Sequence, residues 1–124
     1  MVFDNLFGKS DPEELTDDEI LDKIAGEVFP PLSDNKNGSW YRRLVLKRFR
    51  DLEGMPPKRK DGEQYRTEDE SRLDVALTQV AEANERSEMN IRALCIHDVY
   101  QGENQTRQFL EDLLEIERRF NEVR

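Results

Sequence analysis

Apolar residues recur along this chain at helical spacing and nowhere alternate with period two over a useful length, so the pattern predicts helices and no strands. The first run is Ile20, Leu21, Ile24, Ala25 and Val28. It is opened by Thr16-Asp17-Asp18-Glu19, in which the threonine side chain can accept from the backbone three residues on while Glu19 reaches back. Pro30-Pro31 closes this helix near Phe29. Asn37-Gly38 then reads as a turn, and Ser39 as the N-cap of a second helix with Tyr41, Val45, Phe49 and Leu52 on one face, closed by Gly54.

A second capping sequence, Thr67-Glu68-Asp69-Glu70, opens a long third helix whose apolar positions are Leu73, Leu77, Val80, Ile91, Leu94 and Cys95. Its middle, Asn84 to Asn90, is nearly all polar, which makes that stretch either exposed or kinked. Gly102 breaks the pattern. The last helix carries Phe109, Leu113, Ile116, Phe120 and Val123 at steps of four, three, four and three, a packing seam.

The elements therefore fall at about 16–29, 40–53, 68–100 and 103–123, an all-α chain of about four helices ending in a long antiparallel hairpin. Residues 1–15 form an N-terminal apolar docking segment, and 16–124 a single helical domain. Five Glu→Arg pairs stand at i,i+4: Glu68–Arg72, Glu82–Arg86, Glu88–Arg92, Glu103–Arg107 and Glu115–Arg119. Each is worth about 0.2–0.5 kcal/mol on an exposed helix, and together they favour helix over loop.

Composition changes this picture in one respect. Hydrophobic residues make up 35% of the chain and charged ones 38%, against usual values of about 45–50% and 25%. Such a chain suits elongated or bundled helices with wet faces better than a thick globule, and leaves burial to be supplied by a protein partner or by self-association. No apolar run approaches the roughly 20 residues that span a bilayer, so no membrane is implied. The start of the chain lacks the basic region and apolar stretch of a secretory signal. A single cysteine, Cys95, excludes an internal disulfide and fits a reducing compartment, in which the sequons at Asn37 and Asn104 carry no meaning. The expected location is cytoplasmic, or within an intracellularly assembled particle.

Charge is segmented. Residues 1–39 carry 10 acids and 3 bases, residues 40–66 carry 4 acids and 9 bases, and residues 67–124 carry 14 acids and 7 bases, for a net charge of −9. Within the basic island Arg43, Lys47 and Arg50 stand at i, i+4 and i+7 and make one stripe, with Arg42 and Trp40 near its edge. Lys58, Arg59 and Lys60 follow on a loop. This array suits contact with phosphate, since Arg and Lys stripes supply the salt-dependent part of nucleic-acid binding. It equally suits neutralisation of neighbouring acidic helices, within the chain or across a subunit interface, or contact with an acidic protein. The net charge opposes nucleic acid at long range. Phe3, Leu6 and Phe7 are spaced like the anchors of a short helical docking peptide, or fold back on their own domain.

Catalytic chemistry has little to rest on. Cys95, His97 and Asp98 lie close in sequence, but positions 95 and 97 are about 200° apart on a helix and cannot share a face. Cys95 reads as a small buried residue. Glu111, Asp112, Glu115, Glu117 and Glu122 crowd the last helix as metal ligands can, yet they flank the apolar seam and read as a solvated face. No phosphate loop, CxxC, HExxH or GxSxG is present. No cofactor, metal or small-molecule substrate is implied, although a small metal-dependent hydrolase is a third class to test.

The sequence thus points to a non-enzymatic helical assembly or adaptor subunit of a larger complex, of the structural or connector type found in viral particles. Its contacts would be Phe3, Leu6, Phe7, Phe109, Leu113, Ile116 and Phe120 on the apolar side, and the basic stripe toward an acidic neighbour. The alternative is a nucleic-acid-binding or regulatory module using the basic residues between 42 and 60.

Overall fold

The computed structural model describes residues 15–32, 36–56, 67–97 and 99–123. Among them the regular structure is helical throughout: α1 (Asp17–Val28), α2 (Lys36–Asp51), α3 (Glu68–Ala83), a short α4 (Glu88–Arg92) continued by a π-helical turn (Ala93–His97), and α5 (Gln105–Val123).

Both capping boxes form as the sequence predicts. Thr16 Oγ1 accepts from the Glu19 amide at 3.1 Å while the Glu19 carboxylate accepts from the Thr16 amide at 2.9 Å, and Thr67 with Glu70 does the same for α3. Phe29, before Pro30, is forced to extended geometry (φ −70°, ψ 138°), which ends α1 where expected. Gly54 (φ 87°) takes the left-handed position after α2.

Two expectations change. First, α2 begins at Lys36, so Asn37-Gly38 is not a turn outside the helix and Ser39 is not its cap. Gly38 is buried and stands three residues before Tyr41 and seven before Val45. A residue without a side chain is accommodated on that inner arc, so the helix extends one turn earlier. Second, the long third helix is divided. At its break the Arg86 amide bonds to the Ala81 carbonyl (2.9 Å) and the Glu85 amide to that of Glu82 (3.3 Å), with Glu85 at φ 55°. This is a Schellman stop, built on glutamate where glycine is usual. Ser87 then caps α4 by accepting from the Asn90 amide at 3.1 Å. The polar middle of the segment is thus a stop followed at once by a start.

The chain turns back around Gly102 (φ 85°), and α5 returns past α3 and the π turn while packing chiefly along α1; α2 packs chiefly along α3. All helices contribute to one core, centred on Val45, Phe49, Leu77, Ile91, Phe109 and Leu113. Of the α5 seam, Phe109, Leu113 and Ile116 have no exposed surface and Phe120 has 4%, while Val123 protrudes. These four side chains are spent on the chain's own core. They do not form a surface for a partner, a correction that follows from the closure of α1 and α5 over them.

Candidate functional site

The basic face of α2 is the sequence's main candidate, and folding sorts its residues by direction. Arg42 turns inward and is 4% exposed. It donates through Nε to the Cys95 carbonyl (3.2 Å) and through Nη1 to that of Pro30 (2.9 Å). Its plane lies over the rings of Phe29 (4.9 Å) and Tyr100 (5.8 Å). The π turn makes this possible: the amides of Val99 and Tyr100 both go to the Ile96 carbonyl, which leaves that of Cys95 for the guanidinium. Arg50 also turns in, with Cζ 4.3 Å from the centre of the Phe120 ring. Nη2 of Arg42 and Nε of Arg50 are buried with no hydrogen-bond partner among the described residues. Arg42 is therefore not a partner-facing cation, contrary to the sequence expectation, and Arg50 is half-buried against a ring. The physical reason is the shortage of aliphatic side chains, which guanidinium planes laid on aromatic faces make good.

Arg43 and Lys47 remain outside but are engaged. Arg43 pairs with Asp22, and Lys47 donates to Asp18 at 2.9 Å, so both neutralise α1. These pairs set α1 antiparallel to α2, with Asp18 opposite Lys47 and Asp22 opposite Arg43. Lys58, Arg59 and Lys60, like Phe3, Leu6 and Phe7, lie outside the described residues. What α2 leaves on its outward side is a ridge that runs Trp40, Leu44, Lys47, Arg48, at i, i+4, i+7 and i+8. Trp40 is 53% exposed, Leu44 only partly buried, and Arg48 is exposed with no ion pair among the described residues. The sequence reading passed over Arg48 because it sits off the stripe of Arg43, Lys47 and Arg50. The cue was available in its position eight residues after the tryptophan.

Three features that resemble reactive chemistry are accounted for by packing. Cys95 has no exposed surface, and burial pushes its thiol up to about 12, with Arg42 pulling the other way, so it is a protonated core residue. His97 faces out, on the opposite side of the turn from Cys95. Tyr100 donates its hydroxyl to Asp112. Burial, then the hydrogen bond and charge of Asp112, push the phenol well above its usual range. Burial likewise raises the Asp112 carboxyl, against the opposing Tyr100 hydrogen bond and Arg42 charge.

Four of the five α5 carboxylates have fixed partners: Asp112 on Tyr100, Glu115 and Glu122 on Arg118, and Glu117 on Arg72. Among the described residues no group of three metal-binding side chains gathers.

Arg72, which the sequence placed in an i,i+4 pair with Glu68 on an exposed helix face, is the second buried arginine. It bonds to Glu117 through both nitrogens of its fork (3.2 and 2.7 Å) and to the Phe49 carbonyl (2.7 Å), and lies 3.9 Å from the centre of the Phe49 ring. Burial works against its charge, but the Glu117 bond and charge, then those of Asp69, outweigh it and raise its pKa. A cleft of about 350 Å³ opens between α3, Arg92 of α4 and the start of α5. Both of its lining arginines pair with carboxylates of α3, Arg107 with Glu70 at 3.4 Å and Arg92 with Asp74 at 3.6 Å.

No described helix is long and apolar enough to cross a membrane. The chain matches no protein-family model, curated protein or solved structure.

Proposed function

We propose that the chain is a non-enzymatic protein-interaction subunit, an assembly or adaptor component that meets an acidic, apolar segment of a partner on the outward ridge of α2. One observation carries this reading: a half-exposed tryptophan and an arginine with no ion pair among the described residues share a helix face, while Arg42 is buried, Arg50 lies on the Phe120 ring, and Arg43 and Lys47 are paired. Trp and Arg are the residue types that concentrate binding energy at interfaces. The interior supports the same reading, because its cysteine, tyrosine and arginines are committed to packing and internal hydrogen bonds. The nucleic-acid alternative has less support, since Arg42 is buried, Arg50 lies half-buried on the Phe120 ring, and Arg43 and Lys47 already face carboxylates.

Selection from a random peptide library on the immobilised chain tests the proposal. The expected winners carry two or three apolar anchors among acids, and lose binding to a Trp40→Ser, Arg48→Glu variant. Basic winners, or binding indifferent to both substitutions, would overturn it.

A further inference from the structure

Trp40, Leu44 and Arg48 stand at i, i+4 and i+8, so they form one continuous row along the outward side of α2. Resting on the reading of this ridge as a docking face, we infer that the partner binds it as an amphipathic α-helix laid antiparallel to α2. Acids in the first turn of that helix face Arg48, and apolar residues one and two turns later cover Leu44 and Trp40.

The shape of the row selects a helix. From Trp40 to Arg48 it runs about 12 Å at 1.5 Å per residue. A second helix accepts such a row in the groove between its own rows, and a shallow crossing near about 20° keeps the two in contact over that length. The described regular structure is helical throughout, so among the described residues no sheet edge offers backbone bonds to an extended segment.

Charge along the row sets the direction. Trp40, 53% exposed, belongs to the first half of α2. Arg48 is exposed one turn before the end of the helix and has no ion pair among the described residues. Asp51, exposed at the last position, confines the partner's acids to the part that faces Arg48. The last turn of α2 carries partial negative charge, and the first turn of any helix carries partial positive charge and favours Asp and Glu. An antiparallel helix brings its first turn to Arg48, where an acid is stabilised by its own helix and by the guanidinium together. A parallel helix puts that acid in its last turn, against its own carbonyls. The partner is thus recognised by order as well as by composition: acid first, then apolar residues about four and about eight positions later.

Trp40 is the chain's single tryptophan, so its emission reports binding directly. Two tryptophan-free peptides of identical composition serve as probes. One has glutamates in its first turn and leucines one and two turns later, and the other has that sequence reversed. The same side-chain lactam bridge holds both helical, as checked by dichroism. The full-length chain is expected to bind the acid-first peptide about tenfold more tightly than the reversed one. Arg48→Glu is expected to weaken that binding about fivefold, and exchange of the peptide's glutamates for lysines to restore it.

Equal binding of the two orders, tighter binding of the reversed one, or a charge exchange that restores nothing overturns the proposal. So does Trp40 emission that shifts with protein concentration in the absence of peptide, which assigns the ridge to a second copy. Peptide selection separates this inference from the reading beneath it. Acidic, apolar winners without the acid-first order defeat only the antiparallel helix. Basic winners, with neither probe peptide bound, defeat the docking face itself.

Discussion

A guanidinium that is 4% exposed and bonds to no carboxylate among the described residues is held by geometry rather than by charge. Arg42 ties the Pro30 carbonyl, at the exit of α1, to the Cys95 carbonyl of the π turn while lying on two rings. A lysine has the charge but not the planar fork, so Arg42→Lys is expected to cost about 2–3 kcal/mol, read as a lower urea midpoint at unchanged slope.

Asp112 gives a test of opposite sign to ordinary acid unfolding. Burial first, against the opposing Tyr100 bond, raises its folded pKa above the unfolded carboxylate range near about 4. The folded state therefore holds that proton more tightly. Its stabilising contribution is complete below the unfolded pKa and is lost as pH rises through the raised one. Asp112→Asn is expected to remove this component, so that the difference in unfolding free energy between variant and wild type changes across that window and is flat above it. Residue type alone placed Arg42 with the partner-facing cations and Asp112 with a solvated acidic face. Position 42 nevertheless stands at i−3, i−4 and i−7 from Val45, Leu46 and Phe49, a phase that marks it as interior whatever its charge.

At the scale of the element, starts were legible and stops only partly so. Thr16-x-x-Glu19 and Thr67-x-x-Glu70 announce helices because two residue types at fixed spacing satisfy orphan amides locally. The stop at 84–87 carries no glycine, and its bonds from Arg86 to Ala81 and Glu85 to Glu82 involve backbone alone, so nothing in the side-chain pattern advertised it. The five Glu→Arg pairs show the same limit. Glu88–Arg92 closes, whereas Arg72, Arg107 and Arg119 reach Glu117, Glu70 and Glu27 on other helices, and Arg86 reaches Tyr41.

Two glycine exchanges read these elements in opposite directions. Gly26 is helical with nothing within 4 Å of an added Cβ, so Gly26→Ala is expected to stabilise by about 0.5–1 kcal/mol. Glu85, at φ 55°, is expected to gain a similar amount from Glu85→Gly, a substitution that costs stability elsewhere in helical segments. Thermal midpoints of the two variants check both.

For the whole molecule, the sequence identified an all-helical chain and the apolar seam of α5 but not which surface that seam would meet, because a core and an interface use the same spacing. The structure closes it inside, so Phe120→Ala is expected to lose about 3–5 kcal/mol and unfold the chain at lower denaturant. A variant that stayed as stable as the wild type and only failed to associate would contradict that burial. The charge segments find each other in the same way. The basic α2 meets the acidic α1 within one chain, and light scattering is expected to return a mass near 14.7 kDa at both low and high salt. An oligomer that dissociates as salt rises would move the Asp18–Lys47 and Asp22–Arg43 pairs between subunits.

The π turn at Ala93–His97 also bears on how such a chain tolerates changes in length. A turn closed five residues on holds one residue more than an α turn. In α2, α3 or α5 the loss of one residue rotates all that follows by about 100° and pulls a buried stripe into water. At the π turn a single deletion instead restores ordinary winding, with Ile91 before it and Tyr100 after it still in phase. Among the described helices the π turn is thus where the register of the gene can slip by a codon and the core survive, at the cost of the carbonyl that Arg42 holds.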